Sequence, residues 1–315
     1  MPPRKTVDRA SETSNSPARI LTKCAPYRNT GGAFIPSVTE LHAEHESPNE
    51  RLAMAHLALC SDVETIASQP WQDTYRDDGG KLRRYIPDFV VSNGTYRLII
   101  EVKALAFLTD EESLRKYAAI ARHYLAEHQP FAFLVDVQLE ESPRAASVRL
   151  LFRYCTSVAP TPVLELARAG LVHGALQIGE LCRRARIQLV DVYTLIATKH
   201  LCIDWGHPLS TNAMVSLPGK PYEGLKLEHI LRATRFGHFL EELAVGRRPT
   251  DRRMLADAQT WRQSRRAPTP YCFVGGFPTR QIVGGLRDED SLSYAAERRG
   301  NHSPGLNFDP TDSDL

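Results

Sequence analysis

Long apolar runs, paired cysteines, zinc-type histidine spacings and internal repeats are all missing from this 315-residue chain. No stretch approaches the roughly 18 consecutive apolar residues that a membrane-spanning helix needs. The opening residues MPPRKTVDRASETSNSPAR contain no apolar core of a secretory signal, so they read as a polar arm and the chain as cytoplasmic. The six cysteines are scattered without a C-x-x-C pair, which excludes a zinc knuckle or a disulfide framework and predicts reduced thiols. Neither H-x-x-x-H nor H-E-x-x-H occurs among the eleven histidines, which argues against a zinc site. A strong charge imbalance is absent too, the net charge being +2, but the charges are unevenly placed. From Lys226 to Arg266 ten Lys/Arg face five Asp/Glu, and from Leu286 to Leu315 three face seven. A basic stretch precedes an acidic tail.

What is present is ordinary soluble composition, 42% hydrophobic and 24% charged, in a length that suits two folded units with tails. Ordered structure is predicted to begin near Ser47, with a helix over Glu50 to Cys60. A short strand is predicted at Trp71 to Tyr75, then β-rich runs at Arg84 to Val91 and Tyr96 to Lys103 separated by Ser92-Asn93-Gly94-Thr95, a strong hairpin signal. An amphipathic helix spans Glu111 to His128; Phe131 to Val137 and Val148 to Tyr154 read as strands. After Pro160 come helical patterns at Val163 to Ala169, Leu176 to Arg184 and Leu189 to Lys199, followed by a small hairpin, which is a winged-helix outline. One further helix is predicted at Leu225 to Ala244.

With Asn93-Gly94 as a two-residue type I′ turn, Asp88 lies opposite Ile99. Alternation then places Asp88, Ile99, Glu101 and Lys103 on one face and Phe89, Val91, Tyr96, Leu98, Ile100 and Val102 on the other, apolar, core-forming face. Asp88 and Glu101 become diagonal neighbours about 7 to 8 Å apart, able to converge on one divalent cation or on two. Two carboxylates with a lysine beside them suit phosphodiester hydrolysis. Hard oxygen ligands hold magnesium, and Lys103 either orients the attacking water or stabilises charge on phosphate. The competing reading is a surface salt bridge. Ser47-Pro48-Asn49-Glu50 is a capping box in its own right, and Glu50 at that helix start can also project toward the sheet as a third ligand.

The runs S-P-N-E-R-L-A-M-A-H-L, Q-P-W, R-Y-I-P-D-F-V-V and L-I-I-E-V-K-A resemble the TnsA family of transposon endonucleases over roughly residues 45 to 215. The resemblance implies a restriction-endonuclease-like α/β fold, a mixed sheet flanked by helices with a PD-(D/E)xK site, followed by a winged-helix domain. It makes Glu50, Asp88 and Glu101 the Mg2+ ligands, with Mn2+ as a substitute, and Lys103 the catalytic lysine; some relatives carry Gln at the position of Glu101. The implied activity is cutting of the non-transferred strand at the 5′ ends of a mobile element. The implied partners are transposon-end DNA, a DDE-type, TnsB-like transposase and a TnsC-like ATPase. A stand-alone restriction or defence endonuclease and a catalytically silent scaffold are the alternatives. The expected organisation is a flexible arm over 1–45, the endonuclease domain over 46–157, the winged-helix unit over 158–217 and a partly disordered extension over 218–315. The helix over Leu189 to Lys199 offers only Lys199 and the adjoining His200 near its end for DNA phosphates, so docking or a structural role is favoured for it. Gln69 reads as a structural loop residue, and Arg247 to Arg266 as a solvated basic segment with DNA-backbone binding as the competing reading.

Overall fold

The computed structural model describes residues 30–264, apart from 220 and 233, together with the strands 271–274 and 277–280. One compact unit runs to Ser264 and a second begins at Arg265. The residues 1–29 of the expected arm and the acidic tail lie outside the described residues.

Order begins earlier than the sequence predicts. Strands β1 (Gly31–Ala33) and β2 (Ala43–His45) pair antiparallel, and Ile35, Val38 and Ala43 between and within them are buried in the core, so 30–45 is folded and not a flexible arm. Helix α1 (Pro48–Leu59) starts where its capping chemistry dictates, with the Ser47 hydroxyl accepting from the Glu50 N–H and Pro48 in the first turn. Strand β3 (Thr65–Ser68) follows, too short and polar to stand out in the sequence. Next comes an antiparallel ribbon of β4 (Asp73–Arg76) and β5 (Leu82–Tyr85). Pro87, which has no N–H to donate, lies in the break between the ribbon and β6 (Phe89–Ser92), where one continuous run had been predicted. Strand β7 (Arg97–Lys103), helix α2 (Glu111–Ala126) and strand β8 (Phe131–Val135) complete the central motif.

The main sheet has the order β3-β6-β7-β8, antiparallel except for the β7–β8 pair, which is parallel and joined by α2 as a crossover. Both faces are buried, and alternation sorts them. Phe89, Val91, Ile100, Val102 and Leu134 join one core with α1, whereas Val90, Ile99, Phe133 and Val135 pack with Tyr117, Ala118, Ala121 and Tyr124 of α2 in another. The result is a mixed α/β fold with helices on both sides of a sheet.

The segment Val148 to Tyr154, predicted as a strand, is helical: α3 (Asp136–Leu139) and α4 (Arg144–Leu151) are followed by a short 3-10 turn. Then come α5 (Thr161–Gly170), β9 (Leu176–Gln177), α6 (Ile178–Ala185), α7 (Leu189–Ala197), β10 (Cys202–Ile203) and β11 (Met214–Ser216), the strands forming a sheet in the order β10-β11-β9. This helical part shares one continuous hydrophobic cluster with α1 and the main sheet, so no separate core begins at residue 158. The single helix predicted over Leu225 to Ala244 is two, α8 (Leu227–Leu231) and α9 (Gly237–Ala244). The extension is also more ordered than expected. Phe236, Phe239, Leu240 and Leu243 bury against the α2 side of the sheet, and α10 (Arg252–Ser264) places Ala258 in the same core. In the second unit β12 (Tyr271–Val274) pairs antiparallel with β13 (Phe277–Arg280). Among the described residues no helix is long and apolar enough to cross a membrane.

Two buried histidines give the fold an acid sensitivity. Burial, the largest cause in each case, lowers the pKa of His45 to about 4 and of His56 to about 3. A folded pKa below the unfolded value of roughly 6.5 means that the unfolded chain takes up more protons, so stability is intact above that value and is lost as pH falls toward the folded values. Urea denaturation between about pH 7 and pH 4 is expected to show this loss, on the order of a few kcal/mol for the pair. His56→Gln should flatten the slope, and an unchanged slope would remove His56 from the account.

Candidate active site

The chain turns between β6 and β7 one residue later than predicted. The pairs Phe89↔Ile100 and Ser92↔Arg97 set the register. The turn centres on Gly94-Thr95, with the Asn93 N–H donating to the Tyr96 carbonyl at 3.1 Å. Gly94 does not adopt a positive φ, so the turn is not type I′. Instead the Asn93 side-chain oxygen accepts from the N–H groups of Thr95 and Tyr96 at 2.9 and 3.0 Å and holds the bend itself. The register therefore moves by two residues, an even number, and every side chain keeps its predicted face. Asp88 lies one residue before β6, and continuing the Phe89↔Ile100 register by one step would bring it level with Glu101.

Three of the four predicted residues are in contact. The Lys103 ammonium lies 2.7 Å from Glu101 Oε1 and 3.3 Å from Asp88 Oδ2. It also donates to the Val102 carbonyl at 3.1 Å, and it sits 5.9 Å from the centre of the Tyr117 ring. Asp88 Oδ2 accepts from the Val102 N–H at 2.8 Å, and the Asp88 carbonyl accepts from the Gln69 N–H at 3.0 Å. Glu101 is only 3% exposed, and its Oε2 accepts a short hydrogen bond from the Tyr85 hydroxyl. Glu50 stands apart: Glu50, Asp88 and Glu101 do not bring one oxygen each within 4.8 Å of one another. Its Oε1 accepts from the Ser47 hydroxyl at 2.9 Å and its Oε2 from the Glu46 N–H at 2.6 Å, so the capping role is real. It is nonetheless buried and within electrostatic reach of both Asp88 and Lys103.

The charges in this cluster are out of balance. Burial first, and then the neighbouring Glu101 charge, push the Asp88 carboxyl well above its ordinary range, with Glu50 adding to the shift. Glu50 is raised as well, chiefly by burial. Burial also opposes the charge on Lys103, but the attraction of Glu101 and Asp88 outweighs it and holds the ammonium above its usual pKa. One ammonium serves two carboxylates and lies nearer Glu101, which is why Asp88 stays under-compensated in its presence. Fully ionised, three carboxylates (Glu50, Asp88, Glu101) against one lysine leave two negative charges unmatched. A divalent cation with oxygen ligands fits that excess.

Two tyrosines escaped the sequence reading. Tyr85 closes β5 and its phenol points at Glu101; Tyr117 comes from α2. Burial and the Glu101 charge raise the pKa of both, so both remain neutral hydrogen-bond donors. No spacing rule links them to Glu101, because the ribbon and the helix reach it only through tertiary packing. Gln69 had been read as structural, and its buried backbone, at φ 45°, holds the Asp88 carbonyl. Lys199 donates to the Val63 carbonyl at 2.8 Å and is half-buried, and desolvation lowers its pKa, so it is not free for a DNA phosphate. In comparisons with known proteins, no family model and no curated protein matches the chain.

Proposed function

We propose that the chain is a magnesium-dependent DNA endonuclease of the TnsA-like kind. It would hydrolyse the non-transferred strand at the 5′ ends of a mobile element, beside a DDE-type transposase and a TnsC-like ATPase. The observation that carries this reading is the single Lys103 ammonium held between Glu101 and Asp88, at 2.7 and 3.3 Å, with Glu50 buried at the start of α1. A surface salt bridge does not account for it. Surface pairs are exposed and balanced, whereas this cluster is largely buried and has more carboxyl groups than lysines. A mixed sheet with helices on both faces supports the restriction-endonuclease-like fold. The order α5-β9-α6-α7-β10-β11 supports a winged-helix unit. Because Val192 to Ala197 of α7 are buried and Lys199 is tied to Val63, that unit suits docking or scaffolding better than phosphate binding.

In this reading Asp88 and Glu101 would hold magnesium, and Glu50 would have to move toward them to become a third ligand. The chemistry that the ion supplies when bound is acidification of water and neutralisation of charge on the phosphate. The protein's own groups hold the carboxylates in place. The Val102 N–H fixes Asp88 Oδ2 and the Tyr85 hydroxyl fixes Glu101 Oε2. Lys103 lies between the two carboxylates with its ammonium as a donor, placed to donate to a water or a phosphate oxygen.

The test is cleavage of DNA carrying element ends, with the DDE partner present or absent. Magnesium-dependent scission of one strand only when the partner is present is expected. Scission of unrelated plasmid by the chain alone points to a stand-alone nuclease, and no scission in either case overturns the reading.

A further inference from the structure

A second cluster of metal-ligating side chains lies between the β4–β5 ribbon and α2. His123 and Glu127 are one helical turn apart at the end of α2, and Asp73 opens β4. His123 Nε2 is 3.4 Å from Asp73 Oδ2 and 3.7 Å from Glu127 Oε1, and one ligand atom from each of the three lies within 4.8 Å of the others. The imidazole nitrogen is shielded from solvent yet makes no hydrogen bond among the described residues. Asp73 is buried, and its Oδ1 accepts from the Thr74 N–H at 2.7 Å. An ion about 2.0–2.1 Å from each ligand in a tetrahedron keeps those ligands about 3.3–3.4 Å apart. The two distances from His123 already approach that value without rearrangement. A cavity of about 390 Å³ lined by Thr74, Arg76, Leu82, Ala119, Arg122 and His123 adjoins the cluster and gives water access to it.

We propose that Asp73, His123 and Glu127 form a second divalent-cation site, one for zinc or a similar first-row metal, with water from the cavity filling the remaining position. One imidazole and two carboxylates suit such an ion, whereas the all-carboxylate cluster suits magnesium. Sequence scanning for paired histidines misses it, because α2 contributes an H-x-x-x-E pair and the third ligand comes from a distant strand. The ion would pin the ribbon to α2. Asp73 pairs with Tyr85 across that ribbon, and the Tyr85 ring packs edge-on against Tyr124, next to His123, so the clamp would set the position of the phenol that reaches Glu101. Ion binding itself does not depend on the nuclease reading.

Equilibrium dialysis of the full chain against zinc tests it, in an Asp88→Asn background that disables the first cluster. That chain is expected to bind one zinc ion more than the same chain carrying His123→Gln. Glu127→Gln, an exposed change at the helix end, should weaken the binding roughly tenfold or more. Circular dichroism checks that both variants fold, and zinc should raise the melting temperature of the parent but of neither variant. Unchanged zinc affinity in either variant, or no zinc bound by the Asp88→Asn chain, overturns the proposal.

Discussion

Replacing Asp88 with Asn is expected to abolish magnesium-dependent cleavage while making the metal-free protein more stable. Loss of one ligand from the cluster should lower the rate by about 10²–10³ or more, the scale seen when one element of electrostatic transition-state stabilisation is removed. The stability change follows from the charge imbalance. A carboxyl whose folded pKa is raised contributes stability that is fully present below its unfolded pKa and lost as pH rises through the folded value. At neutral pH the ionised Asp88 therefore opposes folding, and a neutral amide that still accepts from the Val102 N–H relieves that strain. A gain of about 0.5–2 kcal/mol is expected in chelator, read by urea denaturation. Magnesium should stabilise the wild type and not the variant. A structural salt bridge predicts the opposite sign, since removing one partner would then weaken the fold.

Lys103→Met is expected to lose cleavage as well, but with the reverse effect on stability. It removes the one ammonium that touches Glu101 and Asp88 and leaves buried carboxylates facing one another. Breaking a buried pair in this way costs about 3–5 kcal/mol. The loss should be greatest in chelator and should deepen as pH rises, because Asp88, already raised, loses the Lys103 charge that opposes its shift and ionises at greater expense. Magnesium should restore part of the stability without restoring activity. If the metal-free variant is as stable as the wild type, Lys103 is not the counter-charge described here.

The two variants act on the part of the site that the sequence made legible, and the reason is geometric. Side-chain alternation survives any even shift of register, so Asp88, Glu101 and Lys103 keep a common face although the turn moved from Asn93-Gly94 to Gly94-Thr95. What moved it was the Asn93 side chain, which captures two backbone N–H groups and makes a positive-φ glycine unnecessary. Glu50 was legible as a cap, and the cap is present; its burial was not legible. Tyr85 and Tyr117 were not legible, because long-range packing brings them to Glu101. The misassigned strand at Val148 has a different cause. A short apolar run fits either period, and there the buried positions Ala145, Val148 and Leu151 follow a helical spacing that begins before the run. Ile35 and Val38 were hidden by surroundings rich in Pro and Gly, yet both are buried. The packing of α10 was obscured by its arginines, whose charge masks the apolar side of that helix.

Each DNA strand can be followed separately on a duplex labelled at both 5′ ends and carrying an element end, with the transposase partner supplied. Wild-type chain in magnesium should release the product of non-transferred-strand cleavage, and chelator or Asp88→Asn should eliminate that product while leaving the partner's own cut on the other strand intact. Equal cleavage of the non-transferred strand by wild type and Asp88→Asn would contradict the assignment.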